Sequence, residues 1–368
     1  MPDTVHRGPG LDAEVGAVGR RIMARLEALA RHTAEPDALT RLCLTAAHRD
    51  AARTVATWMA EAGLAVRMDA AGNVIGRRDG TAPDQRSVLI GSHIDTVRNA
   101  GKYDGALGVV AAIEAVQLIG DAALPFPIEI IAFGDEEGVR FPTALTGSRA
   151  IAGVIDPAVL SVVDDDAVTL RDALVAFGGE PDALATAAYR PSDVLAYLEL
   201  HIEQGPVLEA EGLPVGVVTA IAGAERHVVE ATGAAGHAGT VPMELRHDAI
   251  TAAAEMVLAV EQTARETDTV VATVGQMSAL PGAVNVIPSG ARFSLDMRSP
   301  SDAVRRSAVE GLFSRWGTIA ERRGVRVDTR KAFEEAAAPL CAGVDGGARS
   351  GGSARRRAGS APAERGRP

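Results

Sequence analysis

The sequence has few of the residues on which several common protein classes depend. Its two cysteines, Cys43 and Cys341, are too few for a disulfide framework or a cysteine-rich zinc site. Aromatic residues make up only 3% of the chain. The most apolar stretch, 106–119, contains Glu114 and Gln117 and is too short to span a bilayer. These absences exclude a disulfide-stabilised domain and a membrane-spanning helix.

Positive charge is also scarce, because 37 Lys and Arg residues face 48 Asp and Glu residues, which leaves a net charge of −11. An acidic surface disfavours nucleic acid and anionic membranes as partners. Residues 1–30 are polar and amphipathic and do not resemble a signal peptide, so we expect a cytoplasmic protein. A length of 368 residues accommodates two domains with a substantial core.

The first part of the chain alternates between helical and strand-like patterns. This alternation predicts an α/β fold with a mixed, largely parallel sheet, in which functional side chains gather beyond the carboxyl ends of strands. His32 and His48 lie in or near the N-terminal helices and are expected at the surface. We predict helices at 11–34, 47–63 and 106–119, and strands at 65–68, 73–76, 87–91 and 127–133.

A second region, 216–330, has the pattern of an α+β unit with two helices and about four strands. The segment 346–368 contains no branched aliphatic or aromatic residue and six Arg against one Glu. Because such a segment cannot bury enough apolar area to offset its ordering entropy, it is predicted to be disordered. Its composition also suggests out-of-frame coding sequence.

Two potential metal-binding positions precede the predicted helix at 106–119. His93 and Asp95 form a His-x-Asp pair after a strand, where the imidazole can bind a metal and the carboxylate can orient it. The pair is common on its own. Asp104 stands directly before Gly105, where its carboxylate could bridge two metal ions or cap the helix. Both interpretations of Asp104 remain open.

Two further positions complete the set. Glu136 and Glu137 end an apolar strand, where adjacent carboxylates are costly without a cation. One could bind a metal while the other acts as a general base, or the pair could form a solvated acidic turn. His201 is a further ligand candidate or a core histidine, and strand geometry would put Glu199, His201 and Glu203 on one face. These donors suit Zn, Mn, Co or Ni rather than a thiolate-preferring metal.

Several motifs together resemble the dinuclear metal amidohydrolases related to aminoacylases and carboxypeptidases. Within that group the chain is similar to the N-carbamoyl-L-amino acid hydrolase and allantoate amidohydrolase branch. The likeness covers roughly residues 15–335. The matching segments are 91–96, 101–105, 135–141, 199–206, 236–240 and 296–298.

The resemblance implies a role for each matching metal-binding residue. His93 and His201 would be terminal ligands of one metal. Asp104 would bridge that metal to a second one, which Glu137 would hold. Glu136 would be the general base, with Zn or Mn, or alternatively Co or Ni, as the two divalent ions.

The resemblance also implies substrate contacts and a homodimer. Gln204, Asn285 and Arg298 would bind the substrate, with Arg298 clamping its carboxylate in a bidentate pair. His237 would stabilise the tetrahedral oxyanion in the site of the partner subunit. The implied domains are a metal-binding catalytic domain (1–215), an α+β dimerisation or lid domain (216–330), the start of a return to the catalytic domain (331–345) and the tail (346–368).

One feature departs from the family pattern. The family supplies a final histidine near the C-terminus, typically in a His-Asn-Pro context, and no histidine follows His247 here. The second metal would then have only Asp104 and Glu137 as ligands. We therefore expect a second site that lacks its last ligand and a catalytic domain that lacks its returning elements.

The expected reaction is hydrolysis of a ureido C–N bond in a small carboxylic acid, with release of ammonia and carbon dioxide. Allantoate is the preferred substrate, followed by an N-carbamoyl-L-amino acid. One alternative is a catalytically impaired, truncated remnant that keeps only the dimerising fold. Another is an aminoacylase or peptidase of the same fold, which the Gln204-Gly205-Pro206 context disfavours.

Overall fold

A computed structural model describes residues 9–82 and 86–340 and divides the chain into two units, Met1–Ala210 and Glu211–Pro368. The predicted tail, 346–368, and Cys341 lie outside the described residues. No helix in the described ranges has the length and apolarity needed to cross a membrane.

The first unit combines helices and strands in chain order. They are α1 (Pro9–Ala30), α2 (Ala46–Glu61), β1 (Ala65–Met68), β2 (Val74–Arg78), β3 (Ser87–His93), α3 (Ala106–Ile119), β4 (Ile128–Phe133), α4 (Thr146–Ile151), α5 (Leu170–Phe177) and β5 (Val194–Leu198). Helix α6 (Val207–Glu211) lies at the boundary between the two units. Short 3₁₀ helices occupy Pro157–Ser161, Pro181–Ala187 and Pro191–Asp193.

Helix α2 shows how local sequence fixes an element of this unit. The Thr45 side chain accepts a hydrogen bond from the backbone N–H of His48 and so caps the first turn. Ala51, Val55 and Met59 recur at helical spacing and are buried in the main core of the unit. This packed face holds the helix against the sheet that carries the site.

The sheet of the first unit has the strand order β1-β2-β4-β3-β5. Strands β1 and β2 pair antiparallel, as do β2 and β4, whereas β3 pairs parallel with both β4 and β5. The predicted mixed α/β fold is therefore confirmed. In the β3–β4 register His93 lies opposite Phe133, so these two strands end together and the segments that follow them start at the same sheet edge.

Several local predictions need correction. Strand β5 ends at Leu198, so Glu199, His201 and Glu203 lie in a loop and the predicted shared strand face is wrong. The predicted surface position of His48 is also wrong, because its residue exposure is 1%. Helices α4 and α5 had no predicted counterpart. Their amphipathic patterns are too short to stand out in a sequence window.

The second unit is an antiparallel α+β assembly. Its elements are β6 (Ala220–Ile221), β7 (Gly223–Thr232), β8 (Gly236–His237), α7 (Ala249–Glu266), β9 (Val271–Thr273), β10 (Met277–Leu280), β11 (Val286–Ile287), β12 (Gly290–Ser299), α8 (Asp302–Arg323), β13 (Arg326–Glu335) and β14 (Ala338–Pro339). A 3₁₀ turn covers Met243–Leu245.

The main sheet of the second unit runs β10-β12-β7-β13, with β9 also paired to β12. Helices α7 and α8 contribute Met256, Leu312 and Trp316 to a core that includes Phe293 of β12. The Trp316 indole N–H donates to the backbone oxygen of Met256 at 3.0 Å, which satisfies the polar group of this buried side chain. The opposite sheet face carries charged side chains.

Candidate active site

His93 ends strand β3 and its residue exposure is only 3%. Its Nδ1 atom lies 3.0 Å from the backbone oxygen of Asp95, and its Nε2 atom lies 3.9 Å from Asp104 Oδ1 and 3.8 Å from Glu136 Oε2. The backbone contact suits a proton on Nδ1, which leaves the Nε2 lone pair directed at the two carboxylates. That arrangement is the one a metal-binding histidine requires.

The Asp95 carboxylate supports the neighbouring acidic turn more closely than it supports the imidazole. Its two oxygen atoms accept hydrogen bonds from the backbone N–H groups of Glu136 and Glu137, both at 3.3 Å. The distance from its Oδ1 to His93 Nδ1 is 3.8 Å, so the backbone of Asp95, not its side chain, contacts the ring. Asp95 thereby connects the segments that follow β3 and β4.

Asp104 lies just before α3 and contacts the loop that follows β5. Its Oδ1 atom is 3.2 Å from His201 Nε2, while its Oδ2 atom accepts a hydrogen bond from Gln204 Nε2 at 2.9 Å. The N-cap of α3 is Gly105, and no side chain caps this helix. The helix-capping interpretation of Asp104 is therefore wrong, and its carboxylate faces the cluster.

Side-chain hydrogen bonds that the motif analysis missed hold the loop bearing His201. The Glu199 carboxylate accepts from the Ser92 hydroxyl and from the Tyr197 hydroxyl, both at 2.8 Å. The Ser92 contact ties the loop to β3, one residue before His93. Sequence gave no signal for this pairing because the two partners are more than a hundred positions apart.

The acidic turn after β4 begins at Asp135, which has a φ of 61° and is fully buried. Its Oδ2 atom accepts a hydrogen bond from the Thr146 hydroxyl at 2.7 Å. Burial raises the pKa of Asp135 to about 7. The side chain of the next residue, Glu136, is 46% exposed, so the turn presents one carboxylate outward.

The described residues contain two groups that could hold a metal ion, and His93 belongs to both. The ligand atoms of each group lie within 4.8 Å of one another. Asp104 Oδ1 and Glu137 Oε1 are buried and make no hydrogen bond, as expected of oxygen atoms reserved for a cation. The groups are His93, Asp104 and His201, and His93, Glu136 and Glu137.

The electrostatics of the cluster also suit a cation. Burial is the largest effect on the pKa values of Glu136 and Glu137, and it raises both. Burial alone would lower the pKa of His93, but the Asp95 and Glu136 carboxylates outweigh it and the net shift is upward. Carboxylates crowded in this way repel one another, and divalent ions would neutralise their negative charge. The residues therefore fit the metal centre that the sequence predicted.

The remaining predicted residues belong to the second unit. His237 lies opposite Val286 in the short β8–β11 pair, and the N–H of Ala238 donates to the Asn285 backbone oxygen at 3.1 Å. The N–H of Gly239 donates to His237 Nδ1 at 3.2 Å, which leaves Nε2 as the protonated donor of a neutral ring. His237 and Asn285 are thus neighbours within this unit.

Arg298 lies on the exposed face of β12. Its Nε and Nη2 atoms donate to the two carboxylate oxygens of Asp296 at 2.8 and 3.1 Å. Arg226 on β7 also donates to Asp296, at 2.8 Å. The two guanidinium groups share one carboxylate, so this part of the sheet keeps a net positive charge.

Comparison with known proteins identifies the class. The family described as "Peptidase family M20/M25/M40" matches residues 89–297, more than half of the chain. The chain belongs to this family of hydrolases.

Individual relatives show which branch of the family the chain resembles. An N-carbamoyl-L-amino acid amidohydrolase of Geobacillus stearothermophilus is 46% identical over 329 residues, covering 89% of this chain and 80% of the relative. A probable allantoate deiminase of Oryza sativa subsp. japonica is 40% identical, covering 84% and 67%. The crystal structure of a hydantoinase/carbamoylase family amidase from Burkholderia ambifaria has a TM-score of 0.83 at 36% identity, covering 90% and 81%. The resemblance to the carbamoylase and allantoate amidohydrolase branch is confirmed.

Proposed function

We propose that this chain is a metal-dependent amidohydrolase that cleaves a ureido C–N bond of a small carboxylic acid. The observation that carries the proposal is Asp104 Oδ1, which is buried, makes no hydrogen bond and lies 3.2 Å from His201 Nε2 and 3.9 Å from His93 Nε2. An oxygen atom that faces two imidazoles and has no hydrogen-bond partner would suit a ligand of a divalent ion. The names of the relatives support the ureido substrate class.

We assign the metal ligands to His93, Asp104, Glu137 and His201, and the general base to Glu136. Divalent ions held there would polarise the substrate carbonyl and stabilise the negative charge that develops on it. The half-exposed Glu136 can reach an attacking water, and its raised pKa favours holding the proton it removes and passing it to the leaving nitrogen.

The protein groups around the base keep its geometry fixed. Asp95 holds the backbone N–H groups of Glu136 and Glu137, and so sets the direction of both side chains. Gln204 donates to the Oδ2 atom of Asp104. This bond orients the Asp104 carboxylate. It also places the Gln204 amide next to the proposed metal ligands, which supports the proposed contact of Gln204 with substrate.

We propose that residues of the second unit bind the substrate. Arg298 would pair with the substrate carboxylate, for which its planar guanidinium is suited. Its bidentate bond to Asp296 fixes the orientation of the guanidinium group. The protonated Nε2 of His237 can donate to an oxyanion, and Asn285 lies beside it.

We also propose that the second unit acts as a lid and forms a homodimer. Leu258 on α7 and Val271 on β9 are 65% and 64% exposed, and a stable partner would remove this apolar surface from water. Light scattering after size-exclusion chromatography tests the dimer. A monomer at micromolar concentration would contradict it.

The substrate is decided by a panel of ureido acids. The chelated chain would be reconstituted with Zn, Mn, Co or Ni and assayed for ammonia release from N-carbamoyl-L-methionine, its D-enantiomer and allantoate. The sequence motifs favour allantoate, and that preference stays a prediction. The identity of 46% to a carbamoyl-amino-acid hydrolase, against 40% to an allantoate deiminase, favours N-carbamoyl-L-amino acids instead.

The same experiment separates the alternatives. An N-acetyl amino acid and a dipeptide test for an aminoacylase or peptidase. Metal analysis tests the impaired-remnant alternative, because two ions per chain would count against it and one or none would favour it. Full metal occupancy without turnover of any ureido acid would contradict the proposed substrate class, and no bound metal would favour the impaired remnant.

A further inference from the structure

Arg41 is a buried cation that the proposed reaction does not use. Its residue exposure is 1%, and it lies in the segment between α1 and α2. Among the residues that the structure describes, no carboxylate oxygen lies within 4.0 Å of its guanidinium nitrogen atoms. A buried guanidinium without a direct counter-ion is costly. Its position therefore calls for a specific explanation.

Within the described ranges, the guanidinium donates to backbone oxygen atoms of three residues. Its Nε atom donates to Ile94 at 2.6 Å, and its Nη1 atom donates to Leu29 at 2.9 Å and to His32 at 3.0 Å. Ile94 lies between His93 and Asp95. The Arg41 side chain thus connects the end of α1 to Ile94, the residue between His93 and Asp95.

The backbone of the same segment adds further bonds to the loop 94–105. The Arg41 N–H donates to the Thr96 hydroxyl at 2.9 Å, and the Thr96 N–H donates to the Arg41 oxygen at 3.0 Å. Asn99 donates its N–H to the Thr40 hydroxyl, also at 3.0 Å, and Ala100 donates to the Leu39 oxygen at 2.8 Å. The segment 39–41 therefore runs along the loop and holds it at several points.

This loop determines the shape of the cluster, because it begins directly after His93 and includes both Asp95 and Asp104. We propose that Arg41 is a positioning residue that fixes the loop 94–105 and so sets the distance between the His93 and Asp104 side chains. Its charge also faces the buried Asp95 carboxylate, which partly offsets the desolvation that lowers the pKa of Arg41 to about 10. The consequence for metal binding rests on the proposed function, but the effect on the loop does not.

Hydrogen exchange on the metal-free chain tests the effect on the loop. Arg41→Met removes every side-chain donor at this position, and Arg41→Lys keeps the charge but lacks the planar set of guanidinium donors. We expect the amides of Thr96, Asn99 and Ala100 to exchange at least about tenfold faster in Arg41→Met, with an intermediate effect in Arg41→Lys. The amides of β2 should not change. Unchanged loop exchange in both variants, with only a lower melting temperature, would overturn the proposal.

Measurements of metal affinity test whether the Arg41 contacts affect metal binding. Changing a residue that orients metal ligands typically weakens binding about 10- to 100-fold, so we expect that loss in Arg41→Lys, together with a lower kcat and a KM close to that of the unmodified chain. The matched control is Arg305→Lys in the second unit, because Arg305 is equally buried but pairs with Asp302 and Glu334. The control should destabilise the chain without changing metal affinity by more than about twofold.

A second pair of variants covers the case in which the Arg41 variants do not fold. Thr96→Val removes the hydroxyl that accepts from the backbone N–H of Arg41, and Thr96→Ser keeps a hydroxyl at this position. Loop exchange that is faster in Thr96→Val than in Thr96→Ser would support the proposal that the segment bearing Arg41 fixes the loop, and equal exchange in both would overturn it. Failure of the unmodified chain to bind metal would contradict the proposed function, while the exchange measurements would still decide the role of Arg41.

Discussion

Gly105 lies directly against the imidazole of His93. A Cβ atom at position 105 would be 2.5 Å from both Nε2 and Cδ2 of His93, and the residue has a φ of 63°. The close approach brings the start of α3 to the end of β3, which is how Asp104 reaches the cluster. Any larger residue would push the ring away from the atoms it faces.

Gly105→Ala should therefore weaken metal binding by more than tenfold, because it displaces His93. A positive φ at a residue with a side chain costs about 1–3 kcal/mol by itself, so a control is needed. Gly120→Ala provides it, since Gly120 has a φ of 56° and no neighbouring atom within 4 Å of an added Cβ. Isothermal titration with Zn or Mn measures the difference, and equal affinities in the two variants would contradict the steric argument.

Substitutions of the two glutamates in the acidic turn should affect different properties, kcat for Glu136 and metal content for Glu137. Glu136→Gln should keep the metal and lower kcat by about 10²–10⁴-fold, because it removes the proton acceptor but leaves the ligands. Glu137→Gln should lose metal first, because Glu137 Oε1 is buried and makes no hydrogen bond. Metal content and kcat measured on both variants separate these outcomes. Loss of metal from Glu136→Gln would show that the two roles are exchanged.

Arg298 should contribute to substrate affinity through the carboxylate of the substrate. We expect Arg298→Ala to raise KM about 10- to 100-fold for an N-carbamoyl amino acid, since a bidentate charged hydrogen bond is lost. Arg292→Ala is the matched control, because Arg292 lies on the same strand and face and is 3.8 Å from Glu230. A carbamoylated amine without a carboxylate should be insensitive to both changes. A normal KM in Arg298→Ala would rule out this contact.

The buried His48 should lower the free energy of unfolding in acid. The ring is buried, its Nδ1 atom accepts a hydrogen bond from the Leu44 N–H at 3.0 Å, and desolvation lowers its pKa to about 3. The unfolded chain binds a proton below about pH 6.5 and the folded chain does not, so stability is complete above that pH and falls as the pH drops toward 3. Denaturant titrations should show roughly 1 kcal/mol lost between pH 7 and 5.5 from this group. His48→Gln keeps an acceptor and should remove that part of the slope.

The chain itself contained the information for most elements and for the identity of the ligand candidates. Apolar periodicity located α2, α3 and the strands β3 and β4, because each buries one continuous face or a whole short run. Strand β3 ends at His93 and the segment after β4 carries Glu136, and parallel pairing brings the two residues to one edge of the sheet. The motifs also gave the resemblance that the comparisons confirm.

Local sequence patterns could not predict the contacts between elements that are distant in sequence. The loop at His201 looked like strand because its apolar and polar residues alternate, but β3 pairs with β5 only as far as Leu198. His48 looked like a surface histidine because a helix pattern does not show which other element covers it. Its ring packs against Phe177, with 4.8 Å between the ring centroids.

Sequence alone thus determined which donors exist and which strands carry them, since residue type and periodicity are local properties. Only the tertiary structure decided that Gly105 admits His93, that Ser92 bonds to Glu199 and that Arg41 supports the loop between two ligands. Each of these contacts joins groups that are remote along the chain. They form only where the packed elements fit to within roughly a few tenths of an ångström, and no pattern of residue types encodes such a fit.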